Sequence, residues 1–200
     1  MDVYLIRHGQ TTTNAEKAHA GWAPAELTEE GRIQAERTRQ LLKENDFDRV
    51  YVSDLVRTRQ TADIIFPGKE HILDRRIRER HVGILEFQKI SDCIEKYGAQ
   101  YLDARARRDF SAFQGETDKQ MADRVGDFMR FLEQIAMEEN PPKKTAVVCH
   151  GGSIYHMFRY VFDTKMTEER LTVKNCSISK FIWENGRWKM VFWNLDGTIE

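Results

Sequence analysis

The sequence predicts an α/β protein: a mostly parallel sheet with helices on both faces, an antiparallel edge hairpin at the C-terminus and a small helical cap insertion. Three observations predict it. Short apolar runs, Val3-Tyr4-Leu5-Ile6, Val50-Tyr51-Val52 and Thr145-Ala146-Val147-Val148-Cys149, alternate with segments of three- and four-residue apolar spacing, the pattern of strands joined by crossover helices. The runs are near-continuous, as strands buried on both faces must be. Finally, Glu184-Asn185-Gly186 separates two strand-like segments, 177–183 and 187–193, and Asn-Gly in that position signals a tight hairpin.

The elements follow in order. Residues 10–27 are polar and irregular, with Gly21 and Pro24 marking a loop. Thr28 is a good N-cap, and Glu29 and Glu30 favour the first turn of a helix running to about Asn45. Residues 49–53 read as the second strand. Ser53 or Asp54 then caps a helix that passes Phe66 and stops at Pro67-Gly68. A short strand near 71–73 leads into the charged segment 74–80. Between 84 and 117, helical stretches at 88–97 and 99–108 are interrupted by Gly98 and Gly115. From Thr117, residues Met121, Val125, Phe128, Met129, Leu132, Ile135 and Ala136 lay out an amphipathic helix, which Asn140-Pro141-Pro142 ends. The strand through Cys149 runs into His150-Gly151-Gly152, and a helix follows from Ser153 to about Phe162. Two hundred residues fit a single domain, 1–200, with 84–117 as a variable cap segment inside it.

Composition narrows the partners. The formal net charge is -1, which supplies no general attraction for nucleic acid or a membrane surface. Any affinity for an anion must come from a local cluster. No apolar run approaches the ~18 residues of a membrane span, and the chain opens directly into a strand without a signal peptide. Cys93, Cys149 and Cys176 lack C-x-x-C spacing and read as reduced thiols, so a cytoplasmic protein is expected.

Chemistry concentrates at strand ends. Of the six histidines, only His8 and His150 share one context, a strand end followed at once by glycine. Parallel strands place their carboxyl ends on one edge, where ligands of open α/β sheets bind. One such histidine is a core or turn residue as readily as a ligand; two in matched contexts point to a shared site. Gly9, Gly151 and Gly152 permit close backbone approach. Arg7 adds a charge beside His8, and Arg57 sits in the first turn after the second strand, again at the carboxyl edge. Guanidinium groups near helix starts make a phosphate site. Arg59 and the arginines of 75–80 are rivals, better read as solvated. Glu79 is the carboxylate nearest a predicted strand end. A zinc site competes for paired histidines, but no H-E-x-x-H or Cys/His cluster is present, and flanking arginines repel a cation. Gly151-Gly152-Ser153 lacks the G-x-S-x-G elbow of a serine hydrolase.

These motifs resemble the histidine phosphatase superfamily, the phosphoglycerate mutase-like proteins, along nearly the whole chain. Arg7-His8-Gly9-Gln10-Thr11 with Asn14 is similar to the opening signature, and Leu27-Thr28-Glu29-Glu30-Gly31-Arg32 to the helix start that follows. Ser53-Asp54-Leu55-Val56-Arg57-Thr58-Arg59 resembles the second signature and His150-Gly151-Gly152 the third. Gly115-Glu116-Thr117 and Asn175-Cys176-Ser177-Ile178 resemble smaller motifs. Thr13 replaces a frequent Trp, and Phe87 stands where many relatives have Gly.

The resemblance implies a covalent mechanism in a single histidine phosphatase domain. His8 would accept the phosphoryl group, and Arg7, Asn14, Arg57, His150 and Gly151 would hold its oxygens. Glu79 would protonate the leaving group and then activate water. No metal and no cofactor are implied. The partner expected is a small phosphorylated molecule, not nucleic acid or a membrane, with a homodimer left open. The mutases carry a longer insert after the acid, so the short 84–117 segment points to the phosphatase branch. In it, Phe87, Tyr97, Tyr101, Phe110 and Phe113 are expected to pack the cap while Arg105, Arg107 and Arg108 face solvent; the alternative is a pocket for an organic phosphate with a second anionic group. The alternatives are mutase-type phosphoryl transfer and a non-catalytic phosphate-binding regulatory module.

Overall fold

The computed structural model describes residues 1–164 and 171–196. Among them, β1 (Asp2–Arg7), β2 (Arg49–Val52), β3 (Ile72–Leu73), β4 (Lys144–Cys149), β5 (Ile178–Glu184) and β6 (Arg187–Leu195) form one sheet in the order β3-β2-β4-β1-β5-β6. The first four spatial positions are parallel; β5 is antiparallel to β1 and to β6. The helices are α1 (Thr12–Ala15), α2 (Glu29–Leu42), α3 (Val56–Ile65), α4 (Ile90–Arg107), α5 (Asp118–Ala136) and α6 (Gly151–Phe162). This is the predicted architecture. No helix among the described residues is long and apolar enough to cross a membrane.

Alternation along β1 divides the core in two. Val3 and Leu5 face a cluster with Met121, Val125, Phe128 and Leu132 of α5 and with Ile154 and Met157 of α6. Tyr4 and Ile6 face the other side, against Ala35 and Leu42 of α2 and Ala62 and Ile65 of α3. Side chains two apart share a face, so one strand feeds both layers. Leu132 is fully buried, and truncation to alanine would cost roughly 2–5 kcal/mol. A third cluster lies in the cap, where Val82, Leu85, Cys93, Tyr101, Ala104, Phe110 and Phe113 pack together. All three cysteines are free and buried.

Several boundaries differ from expectation, each for a local reason. The 10–27 segment contains α1, capped by Thr11 in a capping box with Asn14. Helix α3 has neither Ser53 nor Asp54 as N-cap; Leu55 takes that position without a side-chain bond. Ser53 Oγ instead bonds His150 Nε2, and the Asp54 carboxylate accepts two bonds from Arg78. Helix α5 stops at Ala136, before the two prolines. Its buried stripe ends at Ile135, and Met137 is 69% exposed, so nothing supports another turn. Helix α6 starts at Gly151, because Ser153 Oγ donates to backbone carbonyls of Ile77 and Arg78 rather than capping. In α4 the two expected helices join across Gly98, at φ 49° and ψ -126°. Asn185 and Gly186 both take positive φ in the hairpin turn, as a type I′ loop requires.

Candidate active site

Sheet register brings the strand ends together. Ile6 and Val52 both align with Val148 of the intervening β4. The His8 amide then donates to the Cys149 carbonyl at 3.0 Å, and the Ser53 amide to the Val148 carbonyl at 3.0 Å. His8, Ser53 and His150 therefore emerge on one edge, and the two imidazole centroids are 5.1 Å apart. The Arg-His-Gly corner can sit on α2 because Gly31 has no side chain: a β-carbon there would lie 2.1 Å from the Gln10 carbonyl oxygen.

A cavity of about 410 Å³ opens at this edge, and Arg7, His8, Asn14, Arg57 and Glu79 all line it. A second cavity of about 410 Å³ lies on the other side of Arg7, against Glu30, Gln34 and Lys174, and holds no imidazole.

His8 is 4% exposed, and its Nδ1 lies 2.7 Å from the Gly9 carbonyl oxygen. A carbonyl only accepts, so Nδ1 carries the proton and Nε2 keeps its lone pair. Burial, then Arg57 and Arg7, hold its pKa well below the ordinary value. The imidazole is therefore a neutral base with a bare nitrogen at pH 7.

His150 is fully buried, and burial followed by Arg57 and His8 keeps it neutral as well. Its Nε2 shares a hydrogen bond of 2.9 Å with Ser53 Oγ, and its buried Nδ1 has no partner among the described residues. Arg57 is also fully buried, its Nη2 and Nη1 donating to the Gly21 and Ala23 carbonyls at 2.8 and 3.2 Å. Burial pulls this guanidinium down to about 10, so it remains cationic. Arg7 is lowered by burial too, against the opposing pull of Glu79. Nε of Arg7 and Nε of Arg57 join His150 Nδ1 as buried polar atoms without a partner among the described residues. Arg78 and Arg124, by contrast, are ion-paired with Asp54 and Glu116. Arg57, buried, and Arg7, partly buried with its Nη1 on the Val173 carbonyl, form no ion pair within 4.0 Å among the described residues, which is costly unless an anion completes them.

Asn14 Oδ1 accepts from the Thr11 amide at 3.1 Å and from Asn175 Nδ2 at 3.3 Å, which leaves its amide nitrogen for a ligand. Asn175 Nδ2 also donates to the His8 carbonyl at 3.0 Å. Glu79 accepts from the Arg80 amide at 2.8 Å and the Gly152 amide at 3.1 Å, one on each oxygen. Gly152 lines the cavity where Gly151 was expected; a β-carbon on Gly151 would instead stand 3.6 Å from Arg7 Nε.

The arginine forecast is half right. Arg59 and Arg75 are exposed, but Arg80 is 6% exposed and lines the cavity, its Nη2 donating to Asp118 at 3.1 Å. Tyr101, Phe110 and Phe113 pack the cap as expected, while Phe87 is 54% exposed. Arg107 pairs with Asp103 on the surface. Arg105 and Arg108 line the cavity rather than only facing solvent. Sequence reasoning passed over His19 and Trp22; His19 lines the cavity and bonds Tyr101 OH at 2.8 Å. Among the described residues, no group of three or more His, Cys, Asp or Glu is placed to hold a metal ion.

An α/β sheet with neutral imidazoles and two arginines whose buried Nε atoms are unsatisfied at its carboxyl edge has the site of a phosphoryl-transfer protein. The chain belongs to the histidine phosphatase superfamily (branch 1), whose model matches residues 3–196. A relative from Serratia proteamaculans, named probable phosphoglycerate mutase GpmB, is 32% identical over 199 residues, covering 96% of this chain and 90% of the relative. The alpha-ribazole phosphatase from Shigella flexneri has the same fold, with TM-score 0.85, 22% identity and all of both chains covered. A mycobacterial glucosyl-3-phosphoglycerate phosphatase solved with VO3 gives TM-score 0.84 at 25% identity, covering 97% of this chain and 98% of that one.

Proposed function

We propose that the protein is a phosphatase that hydrolyses small-molecule phosphomonoesters through a phosphohistidine on His8. The observation that carries this reading is a neutral imidazole with a bare Nε2 in the same cavity as two guanidiniums whose buried Nε atoms have no partner among the described residues. Phosphoryl transfer asks mainly for positioning and charge stabilisation, and a fixed cage supplies both. In the first step the Nε2 lone pair forms a bond to phosphorus as the ester P–O bond breaks. The leaving oxygen takes a proton from the Glu79 carboxyl group. Arg7 and Arg57 neutralise charge on the three peripheral oxygens, and His150 and Asn14 hydrogen-bond to them. In the second step Glu79, now a carboxylate, removes a proton from water as its oxygen attacks phosphorus. The P–N bond breaks and inorganic phosphate leaves, so one group serves as acid and then as base.

A mutase reading has one observation in its favour, the name of the curated relatives. In that case phosphoglycerate isomerisation would outpace phosphate release.

The test is hydrolysis of an aryl phosphate with a chelator present, followed by a phosphate-release panel over sugar, nucleotide, polyol and phosphoprotein substrates. We expect metal-independent turnover, fastest at mildly acidic pH, and acid-labile phosphate on His8. Undiminished turnover by His8→Ala would sink the nucleophile assignment. Loss of activity with chelator and its return with zinc would revive a metal mechanism. Phosphate binding without turnover would support a regulatory module instead.

A further inference from the structure

The segment Gly21-Trp22-Ala23 joins the two ends of the site. The carbonyls of Gly21 and Ala23 receive both terminal nitrogens of Arg57. Between them, the Trp22 indole Nε1 donates to the Glu79 carbonyl at 2.7 Å. The Trp22 amide donates to Glu86 Oε1 at 2.7 Å. Its ring stacks on His81, with centroids 4.6 Å apart, and lies under the Arg78 guanidinium at 4.6 Å. Gly21 takes φ +48°, and a β-carbon there would meet Glu86 Oε1 at 2.6 Å. The segment therefore tolerates little displacement.

We infer that Trp22 is a positioning residue for Glu79, a strap anchored at Arg57 that fixes the peptide from which the acid side chain projects. The inference rests on the donor role proposed for Glu79. Arg124 Nη2 also donates to the Glu79 carbonyl, at 2.9 Å, but its guanidinium is engaged from the α5 side by Glu116. Trp22 alone links that carbonyl to the segment holding Arg57. Rotation of this peptide moves the Glu79 carboxyl relative to the leaving oxygen and leaves the phosphate cage in place.

This distinction is measurable, because only a poor leaving group needs the proton. Hydrolysis of para-nitrophenyl phosphate and of an alkyl phosphate is compared in wild type, Glu79→Gln and Trp22→Phe. Trp22→Phe keeps the aromatic ring and removes the N–H. For Trp22→Phe we expect kcat/KM to fall about tenfold on the alkyl ester and less than about threefold on the nitrophenyl ester, a fraction of what a general acid contributes. Inhibition by inorganic phosphate should shift less than about twofold, since Arg57 keeps both carbonyls. Glu79→Gln should show the same leaving-group pattern, steeper. Equal losses of Trp22→Phe on both esters, with Glu79→Gln selective, overturn the role of Trp22 alone. A Glu79→Gln variant with no leaving-group preference overturns the donor assignment and this inference with it. Should Trp22→Phe fail to fold, Glu86→Ala frees the Trp22 amide while the indole stays, and the same selective loss is expected. An unselective loss there counts against the strap.

Discussion

The Gly152 amide donates to Glu79 Oε2 at 3.1 Å, and a β-carbon on Gly152 would stand 2.1 Å from Glu79 Oε1. The glycine both binds the carboxylate and makes room for it. Gly152→Ala should therefore separate folding from function. The obstructed atom is the end of a flexible side chain that can swing away, and alanine suits a helix better than glycine by up to about 1 kcal/mol. We expect an unfolding free energy within about 1 kcal/mol of wild type and kcat lowered about tenfold or more, as displaced catalytic groups commonly cause. Wild-type turnover by this variant would contradict the proposed role of Glu79.

Inorganic phosphate should stabilise the protein, since it completes donors that are otherwise buried without partners. At a concentration one hundred times Kd the gain is about 2.7 kcal/mol. Arg57→Lys cannot reproduce the two-carbonyl grip and the free Nε together. Its melting temperature should respond far less to phosphate, which a thermal-shift titration of both proteins measures. Equal responses would remove Arg57 from the anion site.

Acid should destabilise the fold between pH 6.5 and 4. Unfolded histidines titrate near 6.5. In the native protein His8 and His150 lie well below their ordinary value, His156 is lowered and His19 sits at about 4, each mainly through burial. Below pH 6.5 the unfolded chain takes up protons that the native chain refuses. Stability then drops as pH falls, by up to about 1.4 kcal/mol per pH unit for each such histidine. Denaturant titrations at a series of pH values check this. A flat profile from pH 7 to 5 would show these imidazoles to be solvated.

Phe87 occupies the left-handed region at φ +63°, where many relatives are expected to carry glycine. Two substitutions isolate the backbone cost. Phe87→Ala loses the ring and keeps the strain; Phe87→Gly loses both. At an ordinary site alanine exceeds glycine by about 0.4–1 kcal/mol. Here glycine should exceed alanine by about 1 kcal/mol, because left-handed backbone disfavours any β-carbon. Denaturation midpoints of the pair settle the order.

Much of the site could be read from the chain alone. An apolar run ending on Arg-His-Gly, and another ending on His-Gly-Gly, announce adjacent strand ends. Arg57 is placed by its distance from β2, and the turn by Asn185-Gly186. What could not be read depends on residues far apart in sequence. Ser53 and Asp54 have the chemistry of N-caps, but His150 and Arg78 reach them first. Arg80 belongs to a charged run, yet its side chain is buried because Asp118 lies beside it. The contact between Gly152 and Glu79 joins residues 73 apart in sequence, and no local pattern encodes it. Trp22 sits in a stretch that reads as loop, and its indole partner, the Glu79 carbonyl, lies 57 residues further along the chain.

The position of β1 bears on how the protein is made. It ends on Arg7 and leads into His8, yet its neighbours in the sheet begin only at Lys144 and Ile178. A chain leaving the ribosome must therefore keep β1 unpaired until β4 has been synthesised. Such sequence-distant pairing is slow and leaves a strand open to wrong partners. His8 thus leaves the ribosome well before the strand that encloses it. A nascent product ending short of β4 would expose His8 without His150 or the parallel strand that pairs with β1.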